Sequence, residues 1–172
     1  MLMTPARPHP ASMAVIVVAT DGSRAASLAV GEAAEIARET GDEIAVITAW
    51  QALQGDFGLV FPPTAPLEEL LDAERLHAEE TLDAARRAVE TVGVPVRTHL
   101  AVGDPADAIC AYADEVDARM IAMGTHGHGS VMKLLVGSVS AAVVRQSGRP
   151  VLIVPSTRAQ RPHERRHAVP AR

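Results

Sequence analysis

The chain has 172 residues, 48% of them hydrophobic, with a formal net charge of −5. That size suits one ordinary domain with a real core and excludes wholesale disorder, while the single cysteine, Cys110, excludes a disulfide framework and a Cys-rich zinc module. The charge is unevenly placed: residues 13–155 carry 20 acidic and 10 basic side chains, residues 1–12 one Arg, and residues 156–172 five Arg and one Glu.

Residues 1–12 contain Pro5, Pro8 and Pro10 and read as a disordered leader, with Met13 as an alternative start. They hold no signal-peptide core, and the apolar run 14–19 is far too short to span a bilayer. The expectation is a cytoplasmic protein without a membrane partner. Residues 14–20, AVIVVAT, are β-branched and unbroken, the pattern of a strand buried on both faces. Residues 24–40 predict a helix with Ala26, Ala29, Val30, Ala33, Ile36 and Ala37 on one stripe, ended by Gly41. Residues 43–50 predict a second strand, and 51–66, with Gly55, Gly58, Pro62, Pro63 and Pro66, a loop.

Residues 67–92 predict a long helix, with Leu67, Leu70, Leu71, Ala78, Leu82, Ala85, Val89 and Val92 at spacings of three and four. A third strand follows over 95–102. Asp104-Pro105 is a helix start, Asp capping the free amides and Pro taking the first helical position. Ala106, Ile109, Cys110 and Ala113 form the buried stripe of that helix. Residues 119–124 predict a fourth strand, which runs into a glycine-rich loop; 137–147 predict a helix and 150–155 a fifth strand. From Ser156 the chain is polar, Arg-rich and Pro-broken, a basic, disordered tail over 156–172. Strands alternating with helices in this way define a parallel α/β sheet covered on both faces, filling one domain over 13–155.

The informative segment is Gly124-Thr-His-Gly127-His128-Gly129-Ser130-Val-Met-Lys133-Leu-Leu-Val-Gly137-Ser138. It links the fourth strand to the fourth helix. Glycines let the backbone turn its amides toward an anion, and the helix start at Gly137-Ser138 adds free amides and a positive dipole end. The hydroxyls of Ser130 and Ser138 can donate to phosphate oxygens, and Lys133, the only lysine in the chain, lies inside the loop. A Walker A loop does not fit, because Lys133 is out of frame. The dinucleotide fingerprint does not fit either, because the loop follows the fourth strand rather than the first.

The spacing Gly124-x2-Gly127-x9-Gly137-Ser138 resembles the ATP-binding signature of the universal stress protein family. The resemblance extends over residues 13–155 and includes the turn Asp21-Gly22-Ser23, the turn Val102-Gly103-Asp104-Pro105-Ala106 and the closing segment 150–155. It implies an open five-stranded parallel sheet in order 3-2-1-4-5 with helices on both faces, a Rossmann-like adenine-nucleotide fold. The gap between the first and fourth strands is then the switch point where ligands bind. It further implies that Ala19, Thr20 and Asp21 lie beside the adenosine. Met123 would pack on the base and Gly124 meet the ribose, while Gly127, Gly137, Ser138 and Val139 cradle the phosphates. Ala49 takes a position where the family normally has valine against the adenine edge, a departure that reshapes the pocket. His128 and Lys133 are added as cationic partners of the outer phosphates. The implied ligand is ATP, with Mg²⁺ or Mn²⁺ held through the phosphates, and the implied assembly is a homodimer through the last strand.

Simpler readings stand beside these. Asp21-Gly22-Ser23 can be a turn plus helix cap, Ser138 a plain cap, and Lys133 a solvated side chain. His126 and His128 lack a third metal ligand, and Cys110 falls on a core stripe. His163-Glu164-Arg165-Arg166-His167 matches H-E-x-x-H, but lies among arginines with no apolar helix face, so a zinc protease is excluded. An acidic body with four aromatic residues is a poor nucleic-acid platform. The function expected is a nucleotide-dependent regulatory or stress-protective module, at most a slow ATPase, since Asp21 pairs with no general base. A nucleotide-independent scaffold is the alternative; an adenylating or phosphoryl-transfer enzyme lacks a second domain here.

Overall fold

The structure is a computed structural model that describes residues 13–50, 67–125 and 137–156. The leader, the 51–66 loop, the segment 126–136 and the tail lie outside the described residues, as do the side chains of Leu67 and Leu70. The elements run β1 (Val15–Ala19), α1 (Arg24–Thr40), β2 (Glu43–Trp50), α2 (Leu67–Glu90), β3 (Val96–Val102), α3 (Pro105–Glu115), β4 (Met120–Gly124), α4 (Ser138–Gln146) and β5 (Val151–Val154). The five strands form one parallel sheet in the order β3-β2-β1-β4-β5.

The apolar run of β1 is buried at every position, because β1 is central and covered on both faces. Ile16 and Val18 pack with Val30, Ala33 and Ala37 of α1 and with Leu82, Ala85 and Val89 of α2. Val15, Val17 and Ala19 pack on the other side with Ala106, Ile109 and Ala113 of α3 and Val143 of α4. The period-2 alternation of a strand thus feeds two cores, one per face. The small alanine stripe of α1 lets that helix lie close to the sheet; Ala25 and Ala34 extend the stripe beyond the predicted set, and Ile36 sits at its half-buried margin.

Local signals start and end α1 where the sequence places them. Ser23 caps α1, and Gly41 closes it at φ 74, its N–H donating to the Ala37 carbonyl. α2 is shorter than predicted: it stops at Glu90, and Val92 lies in the turn beyond, 37% exposed rather than on the buried stripe. Tyr112 joins the core of α3 and stacks its ring on His99 of β3 at 4.1 Å and 8°. Cys110 packs at the margin of that core; burial raises its thiol pKa, and Asp114 and Asp107 add to the rise.

The amino-terminal edge of the sheet is pinned by charge. Asp42 is 6% exposed, and its carboxylate accepts hydrogen bonds from the Thr40 hydroxyl at 2.6 Å and from Arg119 at 2.7 Å. Arg149 ties the approach to β5 onto the end of α3 through Asp114, Asp117 and the Ala118 carbonyl. Its guanidinium pKa is raised, first by the hydrogen bond to Asp114. These pins leave the opposite, carboxyl-terminal edge as the place where chain connections diverge.

Candidate functional site

β1 and β4 are neighbours, but their connections leave in opposite directions. α1 covers the face shared with α2, and α4 covers the face shared with α3. The carboxyl ends of these two strands therefore border a crevice at the point where the strand order reverses.

Several predicted residues meet there. Ala19 pairs in register with Met123 across the β1–β4 ladder. Met123 is 5% exposed and packs with Ala19 on the α3–α4 face. Thr20 continues the line of β1: its N–H donates to the Ile47 carbonyl at 3.0 Å, and its carbonyl accepts from the Thr48 hydroxyl at 2.8 Å. The Thr20 hydroxyl accepts from the Gly22 N–H at 3.2 Å, on the side of the sheet facing α1 and α2. Asp21 is exposed at the turn, and its carboxylate accepts from the Ser23 N–H at 3.0 Å. Ser23 in turn accepts from the Ala26 N–H at 3.3 Å. The turn-and-cap geometry of Asp21-Gly22-Ser23 is thus present, and it holds Asp21 at the crevice. Ala49 is half-buried on β2, opposite Ala101 of β3 and beyond the end of the β1 pairing.

Gly124 ends β4 under a tight packing constraint. A Cβ there would stand 2.7 Å from the Ala25 carbonyl carbon, the Ala25 Cβ and the Ala26 nitrogen. No side chain fits, because the first turn of α1 rests directly on the end of β4. The glycine therefore brings the start of α1 to the crevice, whatever it does for a ligand.

The chain leaves the described residues after Thr125 and returns at Gly137, and the base of that excursion is closed. The Thr125 N–H donates to Val154 at 2.9 Å, and the Thr125 carbonyl accepts from the Gly137 N–H at 2.6 Å. The same carbonyl accepts from the Ser140 hydroxyl at 3.1 Å, which also reaches the Gly137 carbonyl at 3.0 Å. Ser140 is 2% exposed. Sequence reasoning passed over it; the readable signal was a small hydroxyl residue three positions after a glycine that has no side chain to bond the first helical amides.

Gly137 is the N-cap of α4 and offers no side chain to the free amides. Ser138 is the first helical residue and is exposed, so it is not the cap; Val139 follows, half-buried. The arrangement is chemically suited to an anion: no side-chain cap answers the first N–H groups of α4 among the described residues, and the positive end of its dipole stands next to the end of β4. Gly127, His128 and Lys133 lie outside the described residues, as do Ser130 and His126. No three metal-ligating side chains converge among the described residues. No helix among the described residues is long and apolar enough to cross a membrane.

Comparison with known proteins matches this geometry to one family. The family model described as "Universal stress protein family" matches residues 13–155. A universal stress protein of Methanocaldococcus jannaschii is 31% identical over 139 residues, covering 81% of this chain and 80% of that relative. Among solved structures, a universal stress protein in complex with cAMP superposes with a TM-score of 0.60 at 30% identity, covering 84% of this chain and 98% of that one. The universal stress protein of Archaeoglobus fulgidus in complex with dAMP gives 0.61 at 29% identity, covering 83% and 98%.

Proposed function

The chain belongs to the universal stress protein family, and on that premise we propose that it binds ATP in the β1–β4 crevice as a nucleotide-dependent regulatory or stress-protective module of the cytoplasm. The observation that carries this reading is the start of α4, where Gly137 leaves the first amides without a side-chain cap beside the strand ends. The cAMP and dAMP complexes of similar proteins support an adenine nucleotide as the ligand class.

In this reading Met123 and Ala19 form the apolar side of the base pocket, with Thr20, Asp21 and Ala49 along its edge. Gly137, Ser138 and Val139 present amides to the phosphates; Gly127, His128 and Lys133 complete the cradle, and Mg²⁺ or Mn²⁺ is held through the phosphates. The Asp21 carboxylate is engaged in its own turn, and in this reading hydrolysis is slow at most. β5 is a sheet edge with Val151, Leu152 and Ile153 only partly buried, which favours pairing with a second copy. Light scattering of the purified chain should then give the mass of a dimer, and a monomer would remove that part of the reading.

A nucleotide-free scaffold is the second reading, favoured by the smaller Ala49 at the adenine edge. Equilibrium dialysis against millimolar Mg-ATP separates the two. Stoichiometric uptake supports the nucleotide module; absence of uptake leaves the scaffold.

A further inference from the structure

A cavity of about 310 Å³ opens between α1 and α2, beneath the β1–α1 turn, on the face of the sheet away from α4. That volume lies at the lower end of the range for small-molecule pockets. Val30, Ala85 and Ala88 give it an apolar wall; Thr20, Thr81, His77 and Glu80 give it polar groups.

Two of those polar groups stand out by what they lack. Thr81 is 9% exposed, yet its hydroxyl has no hydrogen-bond partner among the described residues. Threonines at helix ends satisfy themselves: Thr40, the last residue of α1, donates to the Ile36 carbonyl, and Thr91, just beyond α2, to the Ala88 carbonyl. A buried hydroxyl left unmade is a cost that a well-packed helix pair would ordinarily avoid. Glu80 pairs with no cation among the described residues, although Glu79, Asp83 and Glu90 on the same helix pair with Arg75 and Arg86.

We propose that this cavity is a second ligand site, taking a small primary amine with a compact apolar body. The ammonium group donates to the Glu80 carboxylate and the Thr81 hydroxyl, and the body lies on Val30, Ala85 and Ala88. Among the described residues no Arg or Lys lines the cavity, so they offer a phosphate-bearing ligand no cation there. Thr20 borders both this cavity and the nucleotide crevice, but the ammonium's partners, Glu80 and Thr81, stand on α2 away from the β1–β4 strand ends, so the test does not depend on nucleotide binding.

Benzylamine is a suitable probe, with benzoate and benzyl alcohol as charge-reversed and neutral controls. In ¹H–¹⁵N spectra of the full chain, benzylamine should give saturable shifts at Ser27, Val30, Thr81 and Ala85. Benzoate should give none. Thr81→Val keeps the shape, should weaken benzylamine about tenfold, and should melt no lower than the parent because an unpaired hydroxyl becomes a methyl. Glu80→Gln, at an exposed position, should remove the preference for amine over alcohol. Equal saturation by benzoate, unsaturable shifts, or unchanged binding in both variants would overturn the proposal. Mg-ATP should leave the benzylamine shifts in place; their disappearance would contradict a separate site.

Discussion

Two helices on the same face of the sheet begin in opposite ways. α3 begins at Asp104, whose carboxylate accepts from the Ala106 N–H at 2.9 Å and the Asp107 N–H at 3.2 Å, with Pro105 behind it. α4 begins at Gly137, with no side chain to offer. Both starts stand at the carboxyl edge of the sheet, and both carry a positive dipole end. In α3 an internal carboxylate has already answered that charge. In α4 no cap among the described residues answers it, and in the proposed reading it is left for an anion from outside. A protein can thus select one of several equivalent helix ends as a binding site simply by omitting a cap.

The sharpest way to break the contrast is to give α4 the cap of α3. Gly137 has φ −61 and ψ 162, a conformation open to any residue, so Gly137→Asp carries no backbone strain. It should weaken Mg-ATP by about a hundredfold, as measured by calorimetry, because a fixed carboxylate competes for the amides the phosphates need. Its thermal stability should equal or slightly exceed that of the parent. Gly124→Val comes next. The added side chain meets backbone and Cβ atoms of α1 at 2.7 Å, so urea unfolding should show a loss of about 1–3 kcal/mol.

Asp104→Ala is the mirror experiment. It should cost about 1 kcal/mol of stability and leave Mg-ATP affinity unchanged. Ser140→Ala removes a buried hydroxyl that ties Thr125 to Gly137, and should cost about 0.5–1.5 kcal/mol. A modest loss of nucleotide affinity should accompany it, because the base of the 126–136 excursion is loosened.

The parts of the fold readable from sequence are those set by local pattern. The unbroken run of β1, the alanine stripe of α1, the Gly41 stop and the Asp104-Pro105 start all depend on residues close in sequence. The strand order came from family resemblance, since periodicity alone leaves it open. What escaped depends on distant partners. Val92 fits the helical spacing, but the chain turns at residues 91–93 before reaching it. Tyr112 is buried because His99, on another element, stacks on it. Gly124 reads as a ligand glycine, whereas its packing reason is the first turn of α1, roughly a hundred residues earlier in the chain. Ser140 looks like ordinary helix surface until Thr125 is brought above it. The β1–β4 switch point followed from the strand order that the resemblance implied, and the hydrogen bonds between Thr125, Gly137 and Ser140 were not legible.

The central claim is that the open start of α4 receives the phosphates and the capped start of α3 does not. Amide shifts in ¹H–¹⁵N spectra during a Mg-ATP titration test it directly. Val139 and Ser140 should shift and saturate together, while Ala106 and Asp107 stay in place. Saturating shifts at Ala106 and Asp107, or a titration that leaves Val139 and Ser140 unmoved, would contradict the account.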